Sequence, residues 1–339
     1  MKLIKTEEAV GHVLCHDITQ IIKGVTKDAL FRKGHIVTEE DIPLLLSVGK
    51  EHLYVWENDE SMMHENDAAM VLLDMCKNDY MSYGEIKEGK IELKSEIHGL
   101  LKVDRKALFT VNSFGQMMIA TRHGNTVVNP GDKLAGMRII PLVIEKEKMD
   151  KVRSLITSSI LEIKPFVLKK AAVITTGSEV YKGRIQDTFT PVIQAKLAEF
   201  GCEMVYHAIC DDDDKMVTEK INEALKQGVD IVLCTGGMSV DPDDRTPLAI
   251  KNTGAEIVTY GAPVLPGAMF LLSYYGEKKR PVIGLPGCVM YAKRTIFDLV
   301  LPRIVAGEIL KKADIDTLGE GGLCLNCPVC TFPNCGFGK

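Results

Sequence analysis

Ala171-Ala172-Val173-Ile174-Thr175-Thr176-Gly177 is the stretch on which the reading of the fold turns. Its short apolar, β-favouring run ends on Thr-Gly, which predicts a strand closed by a loop. The chain then alternates. Pro191 to Phe200 has the spacing of an amphipathic helix stopped by Gly201, and Met204 to Cys210 reads as a second strand. The acidic run Asp211 to Asp214 stands where it can cap the next helix, Lys215 to Gln227, and complement its dipole, a better reading than metal binding. Gly228 closes that helix, Asp230 to Cys234 is a third strand, Pro281 to Leu285 a later one, and Met290 to Val305 a final helix. Strands alternating with helices at this spacing predict an α/β fold with a doubly wound, mostly parallel sheet over residues 166–312.

Working outward, residues 1–60 read as a small α+β module. Its helix spans Glu39 to Val48, with Thr38 as N-cap, Leu44, Leu45 and Val48 on one face and Gly49 as the stop; His52 to Trp56 follows as a strand. Residues 61–165 open with a Met-rich helix whose Ala68, Ala69, Val71, Leu72, Leu73 and Met75 are candidate core. From Gly84 to Ile144 short alternating runs split by turn pairs predict an all-β segment, and Glu145 to Ile160 a charged connecting helix. Residues 313–339 form a Cys-rich tail.

The composition excludes several function classes. The 339 residues are 46% hydrophobic and 26% charged, with a formal net charge of −5 and no Lys/Arg tract, so a nucleic-acid-binding surface is not indicated. No stretch approaches the length of apolar residues that spans a bilayer, and Met1 to Val10 is too charged for a signal peptide; the cytoplasm is the expected compartment. His12, His16, His35 and His52 lack ligand spacing and read as structural or surface residues.

In an open parallel sheet, ligands bind beyond the carboxyl ends of the strands. Three loops there carry small and polar residues. The first is Thr175-Thr176-Gly177-Ser178-Glu179, with Gly183 to Thr188 shortly after; its glycines allow close backbone approach, and the N–H groups that follow can hold a phosphate. The second is Thr235-Gly236-Gly237-Met238-Ser239, followed by Val240 to Pro247. Its adjacent glycines are costly in conformational entropy, so something must require them. Asp241, Asp243 and Asp244 can hold Mg²⁺ near a pyrophosphate, and Thr246-Pro247 can open a helix. The third is Gly284-Leu285-Pro286-Gly287-Cys288, a tight turn.

TTGSE, GRIQDT, TGGMSVDPDDRTP and GLPG, in this order and spacing, resemble the MoaB/Mog family of molybdopterin-binding domains over about residues 170–310. That family includes the molybdopterin adenylyltransferases and molybdotransferases. The resemblance implies that Thr176, Gly177, Ser178, Glu179, Asp187, Thr188, Thr235, Gly236, Gly237, Met238, Ser239, Asp244, Pro286 and Gly287 bind molybdopterin or its adenylylated form. Glu179, Asp187 and Asp244 are the candidate catalytic carboxylates, holding Mg²⁺ with the ATP or AMP moiety. It further implies molybdopterin and molybdate as ligands, a homo-oligomer, and a molybdoenzyme client. Phe189 stands where the family has Asn, Cys288-Val289 replaces Asn-Pro, and no Ser-x-Met-Asp-Gly-Tyr motif occurs in the first half. Three functions stay open: an assembly enzyme performing Mg-dependent adenylyl or molybdate transfer; a non-catalytic carrier, sensor or chaperone for a molybdo- or tungstoenzyme; and a relative that keeps the fold for another nucleotide, as the competence-damage-inducible family does.

Six of the ten cysteines are scattered, while Cys324, Cys327, Cys330 and Cys335 crowd the last sixteen residues. Their C-x2-C-x2-C-x4-C spacing suits an iron–sulfur cluster or a Cys₄ zinc site, with handling of a sulfur-rich intermediate as a metal-free alternative. Pro328 and Pro333 would stiffen this loop, and Gly319, Gly321 and Gly322 read as a flexible lead-in.

Overall fold

A computed structural model describes residues 2–22, 26–55, 59–242 and 244–339. The chain forms two compact units: Met1–Glu96, Val103–Arg122 and Gly131–Glu162 in one, Ile97–Lys102, His123–Pro130 and Ile163–Lys339 in the other.

In the first unit, Lys2–Lys5 pairs antiparallel with His52–Val55 over a small core that includes Leu14, Leu45 and Leu53. The helix expected to start at Glu39 spans Asp41–Ser47. Thr38 does not cap it: its N–H and hydroxyl donate to the Asp41 carboxylate, the reverse of the expected polarity. Gly49 follows at φ 77°, the left-handed conformation that suits a helix stop. Trp56 lies outside the described residues. The Met-rich helix is Glu65–Cys76, with Ala68, Ala69, Leu72, Leu73 and Met75 buried and Val71 half-buried. The β-rich segment supplies a four-stranded antiparallel sheet in the order Met81–Tyr83, Ile91–Ser95, Lys133–Ile139, Met117–Thr121. It is not all-β, because Arg105–Ser113 is a helix. Asp104 starts it, accepting from the N–H groups of Lys106 and Ala107. The connecting helix is Lys146–Leu155.

The second unit carries the α/β sheet. Its strands are β1 (Lys170–Thr176), β2 (Glu203–Cys210), β3 (Ile231–Thr235), β4 (Glu256–Tyr260), β5 (Leu271–Tyr275) and β6 (Arg280–Leu285). Their order is β2-β1-β3-β6-β5-β4, with β2, β1, β3 and β6 mutually parallel and β5 antiparallel to both neighbours. The helices are α1 (Ser178–Tyr181), α2 (Phe189–Ala198), α3 (Asp214–Lys226), α4 (Thr246–Asn252) and α5 (Ile296–Val305). Side chains alternate across each strand. Ala171 and Val173 of β1 and Ile231 and Leu233 of β3 pack with Ile193 and Leu197 of α2 and Val300 and Ile304 of α5. Ala172, Ile174, Val232 and Cys234 pack with Val217 and Ile221 of α3 and Ala249 and Ile250 of α4. Burial on both faces is why these strands read as unbroken apolar runs. The expected helix from Met290 divides: Gly287–Met290 is a 3₁₀ turn, and α5 begins only at Ile296, where Thr295 and Asp298 form a reciprocal capping box.

The cysteine tail packs on this unit, with Phe337 in the core beside α5. Gly321 and Gly322 are not a flexible lead-in: a Cβ on Gly321 would lie 2.5 Å from Lys339 O, and one on Gly322 2.4 Å from Leu318 O.

Candidate functional site

The parallel strands deliver their carboxyl ends to one edge, where β1 ends on two threonines facing opposite sides. Thr175 Oγ1 donates to Asp187 (3.2 Å) and lies 3.0 Å from Thr190 Oγ1 and 3.4 Å from His207 Nε2. Asp187 Oδ1 accepts the N–H groups of Phe189 (2.9 Å) and Thr190 (3.0 Å), and Oδ2 also accepts the Thr190 hydroxyl. These four donors fill the lone-pair capacity of the carboxylate. Burial pushes the Asp187 carboxyl upward, but the Thr190 hydroxyl and these N–H groups hold it below the usual aspartate range. Asp187 thus fixes the entry to α2.

Ser178, on the first loop, is held by residues that the sequence reading assigned to capping. Its N–H donates to Asp212 (2.8 Å) and its hydroxyl to the Asp211 carboxylate. The amide expected to hold phosphate is therefore taken by a carboxylate, which the positive end of a helix attracts as it would a phosphate. Asp213 does cap α3, accepting from Lys215 N at 2.8 Å. The signal that could have separated these roles is position: Asp211 and Asp212 directly follow β2, at the ligand edge of the sheet.

The second loop explains its glycines. Gly236 has φ 84°, and a Cβ there would stand 2.2 Å from Thr176 O. Gly237 has φ 56°, and its Cβ would lie 2.8 Å from Thr246 Oγ1. Thr246, the first residue of α4, donates its hydroxyl to Gly236 O (2.9 Å) and its N–H to Gly237 O (3.2 Å). Thr176 Oγ1 donates to Thr235 O at 3.2 Å, so the first two loops are bonded where they meet. Among the described residues, no hydrogen bond takes up the N–H groups of Gly237, Met238 or Ser239, and the buried Thr235 hydroxyl has no partner.

Met238 reaches the loop but directs its side chain inward: a Cβ on Gly284 of β6 would meet its Sδ at 2.5 Å. Only its backbone is offered to a ligand. Tyr260, at the end of the unforeseen strand β4, donates its hydroxyl to Met238 O at 2.9 Å. Burial, then the nearby Asp244 charge, raises that phenol. Asp244 is half-buried, and Glu179 and Ser239 are exposed. Among the described residues, no hydrogen bond or ion pair engages the carboxylate of Glu179 or Asp244, in contrast to Asp187; Asp243 lies outside the described residues. In the third loop Pro286 is buried and Gly287 exposed. Thr188 donates its hydroxyl to Met290 Sδ at 2.9 Å, tying the first loop to the turn after β6.

Of the tail cysteines, Cys324 and Cys335 are half-buried against the core, while Cys327 and Cys330 are exposed. Among the described residues, no three His, Cys, Asp or Glu side chains are placed to hold one metal ion. No helix there is long and apolar enough to cross a membrane.

Residues 172–306 match the family model described as a probable molybdopterin binding domain, and residues 3–57 one described only as a domain of unknown function. A CinA-like protein of Mycobacterium tuberculosis is 33% identical over 93 residues, 27% of this chain and 22% of that protein. The chain thus spans about a fifth of the length of the curated relatives it matches. The tungsten cofactor synthesizing protein MoaB from Pyrococcus furiosus is 23% identical, with 42% of this chain and 98% of that chain covered at a TM-score of 0.35. The molybdopterin biosynthesis MoeA protein from Pyrococcus horikosii is 15% identical, with 90% and 74% covered and a TM-score of 0.34. The match to a probable molybdopterin binding domain thus runs along the α/β sheet from β1 to α5.

Proposed function

We propose that the chain binds molybdopterin, or its adenylylated form, across the strand-end loops and acts in molybdenum cofactor biosynthesis. The supporting observation is the second loop. Its N–H groups at Gly237, Met238 and Ser239 and the Thr235 hydroxyl, without partners among the described residues, suit the phosphate end of the ligand. The anion is assigned to this loop because Asp212 already occupies the Ser178 amide. Glu179 and Asp244, unpaired among the described residues on the two loops that meet at Thr176 and Gly236, are the groups that would hold Mg²⁺. The cation would supply charge neutralisation at the transferring phosphate. Asp187 acts as a positioning residue: it sets α2 and the first loop rather than touching the reacting atoms.

The test is anaerobic incubation of the protein with molybdopterin, Mg-ATP and molybdate, followed by chromatography of pterins and nucleotides. An assembly enzyme accumulates adenylylated pterin, or releases AMP with cofactor formed, and Glu179→Ala and Asp244→Ala abolish this. Pterin bound but chemically unchanged supports the carrier or sensor reading. The match to a CinA-like protein favours, as a second reading, a nucleotide ligand in the same loops. Failure to retain any pterin, with a nucleotide retained instead, would decide for it.

A further inference from the structure

The cysteine tail is a built element, and its chemistry is separate from whatever the strand-end loops bind. It is anchored at both ends. Leu323 bridges to Leu265, with Cys324 N–H donating to Leu265 O at 2.8 Å. At the other end Phe337 is buried, and a Cβ on Gly338 would stand 2.4 Å from Leu299 Cδ2. Between these anchors, all four cysteines line one cavity of about 220 Å³, together with Lys293 and Arg294.

We propose that Cys324, Cys327, Cys330 and Cys335 hold a polynuclear iron–sulfur cluster in this cavity. The size of the cavity favours a cluster over a single zinc ion. A Cys₄ zinc site draws its sulfurs to about 2.3 Å from one ion and leaves no void between them. Here the four cysteines line a cavity of about 220 Å³, larger than a single ion fills. A cluster carries its irons at its periphery, so its ligands stand around it. The charges agree. Each thiol loses its proton to bind iron, leaving a net negative assembly that needs compensation. Arg294 lines the same cavity as Cys330, while Lys293 donates to the carbonyls of Pro328 (2.9 Å) and Cys327 (3.4 Å). Phe332, with the Arg294 guanidinium 4.9 Å from its ring centroid, and Phe337 supply the apolar wall.

The test uses the full chain, stripped of metal and then offered Fe²⁺ with sulfide, and Zn²⁺ in a parallel sample, under anaerobic conditions. After desalting, iron, acid-labile sulfide and zinc are assayed, with the visible spectrum recorded before and after dithionite. The expected result is iron and sulfide in equal amounts, about two to four of each per chain, with a visible band bleached by reduction. The Cys327→Ser/Cys330→Ser double variant alters exposed residues, so its melting curve should match that of the metal-free parent while its iron is lost. One zinc per chain that resists exchange for iron and sulfide, no retained metal, or a cluster that survives in the double variant would each overturn the proposal.

Discussion

Replacing Gly236 by alanine tests whether the second loop is built by contact or merely tolerates glycine. Two costs arise at this position. The left-handed backbone at φ 84° disfavours any residue bearing a Cβ, by about 1–2 kcal/mol. The new methyl would also stand 2.2 Å from Thr176 O and 2.8 Å from Thr176 Oγ1. The first neighbour is backbone at the end of a central strand and cannot swing aside as a flexible side chain does. Forcing such a contact costs about 1–3 kcal/mol more. The sum is about 2–5 kcal/mol, which at about 2–4 °C per kcal/mol lowers the melting temperature by about 4–20 °C. Gly228→Ala is the control: it has φ 79° but nothing within 4 Å of the added methyl, so it carries only the backbone cost. Thermal unfolding followed by circular dichroism should therefore rank Gly236→Ala well below Gly228→Ala. Equal melting temperatures would refute the claim that close approach of the two loops demands glycine here.

Asp187→Asn removes the carboxylate that four donors share, and should destabilise the unit by about 0.5–2 kcal/mol, the cost of losing a helix cap. Because the folded carboxyl is held below its unfolded value, its contribution is fully present above about pH 4 and is lost as pH falls through the folded pKa. The gap in melting temperature between parent and variant should be level from neutral pH to about pH 5 and close below about pH 4; a gap that widens on acidification contradicts the assignment. Tyr260→Phe deletes the hydrogen bond to Met238 O and should cost about 0.5–1.5 kcal/mol in denaturant titration. It should also weaken retention of a phosphate-bearing pterin, and unchanged retention would remove Tyr260 from the site.

The α/β core was readable because burial on both faces leaves a plain mark: Ala171 to Ile174 and Ile231 to Cys234 are apolar without interruption. The two glycines of the second loop were readable for a related reason, since adjacent glycines after a strand are costly unless a close contact requires them. What escaped depends on partners distant in the chain. The Arg105–Ser113 helix sits among turn pairs typical of a meander, and only Asp104 before an apolar-spaced run marks it. Strands β4 and β5 could not be placed without knowing that β5 runs against β6. The acidic run gave no hint that Asp211 and Asp212 serve Ser178, more than thirty residues upstream, while Asp213 serves its own helix. The inward course of the Met238 side chain likewise depends on a distant partner, the side-chain-free Gly284.

Catalysis and carriage make opposite demands on Glu179 and Asp244. Asp187 is bonded by donors of its own loop, and Asp211 and Asp212 by Ser178 of the first loop, so their charges are compensated within the protein. Glu179 and Asp244 have no such donors among the described residues. A carboxylate about 4 Å from a phosphate repels it by about 1 kcal/mol even in bulk water, and by more where water is excluded. Two unpaired carboxylates therefore oppose binding of an anionic pterin unless a cation bridges them. If Mg²⁺ is that bridge, it should tighten retention of the pterin by the parent protein, and Glu179→Ala and Asp244→Ala should abolish the gain along with turnover. If the loops only carry the ligand, Mg²⁺ should leave retention unchanged, and both variants should bind at least as tightly as the parent because a repulsive charge has gone. Tighter binding by the alanine variants without Mg²⁺ sensitivity would remove both carboxylates from any transfer chemistry and leave the second-loop N–H groups as the whole of the phosphate site.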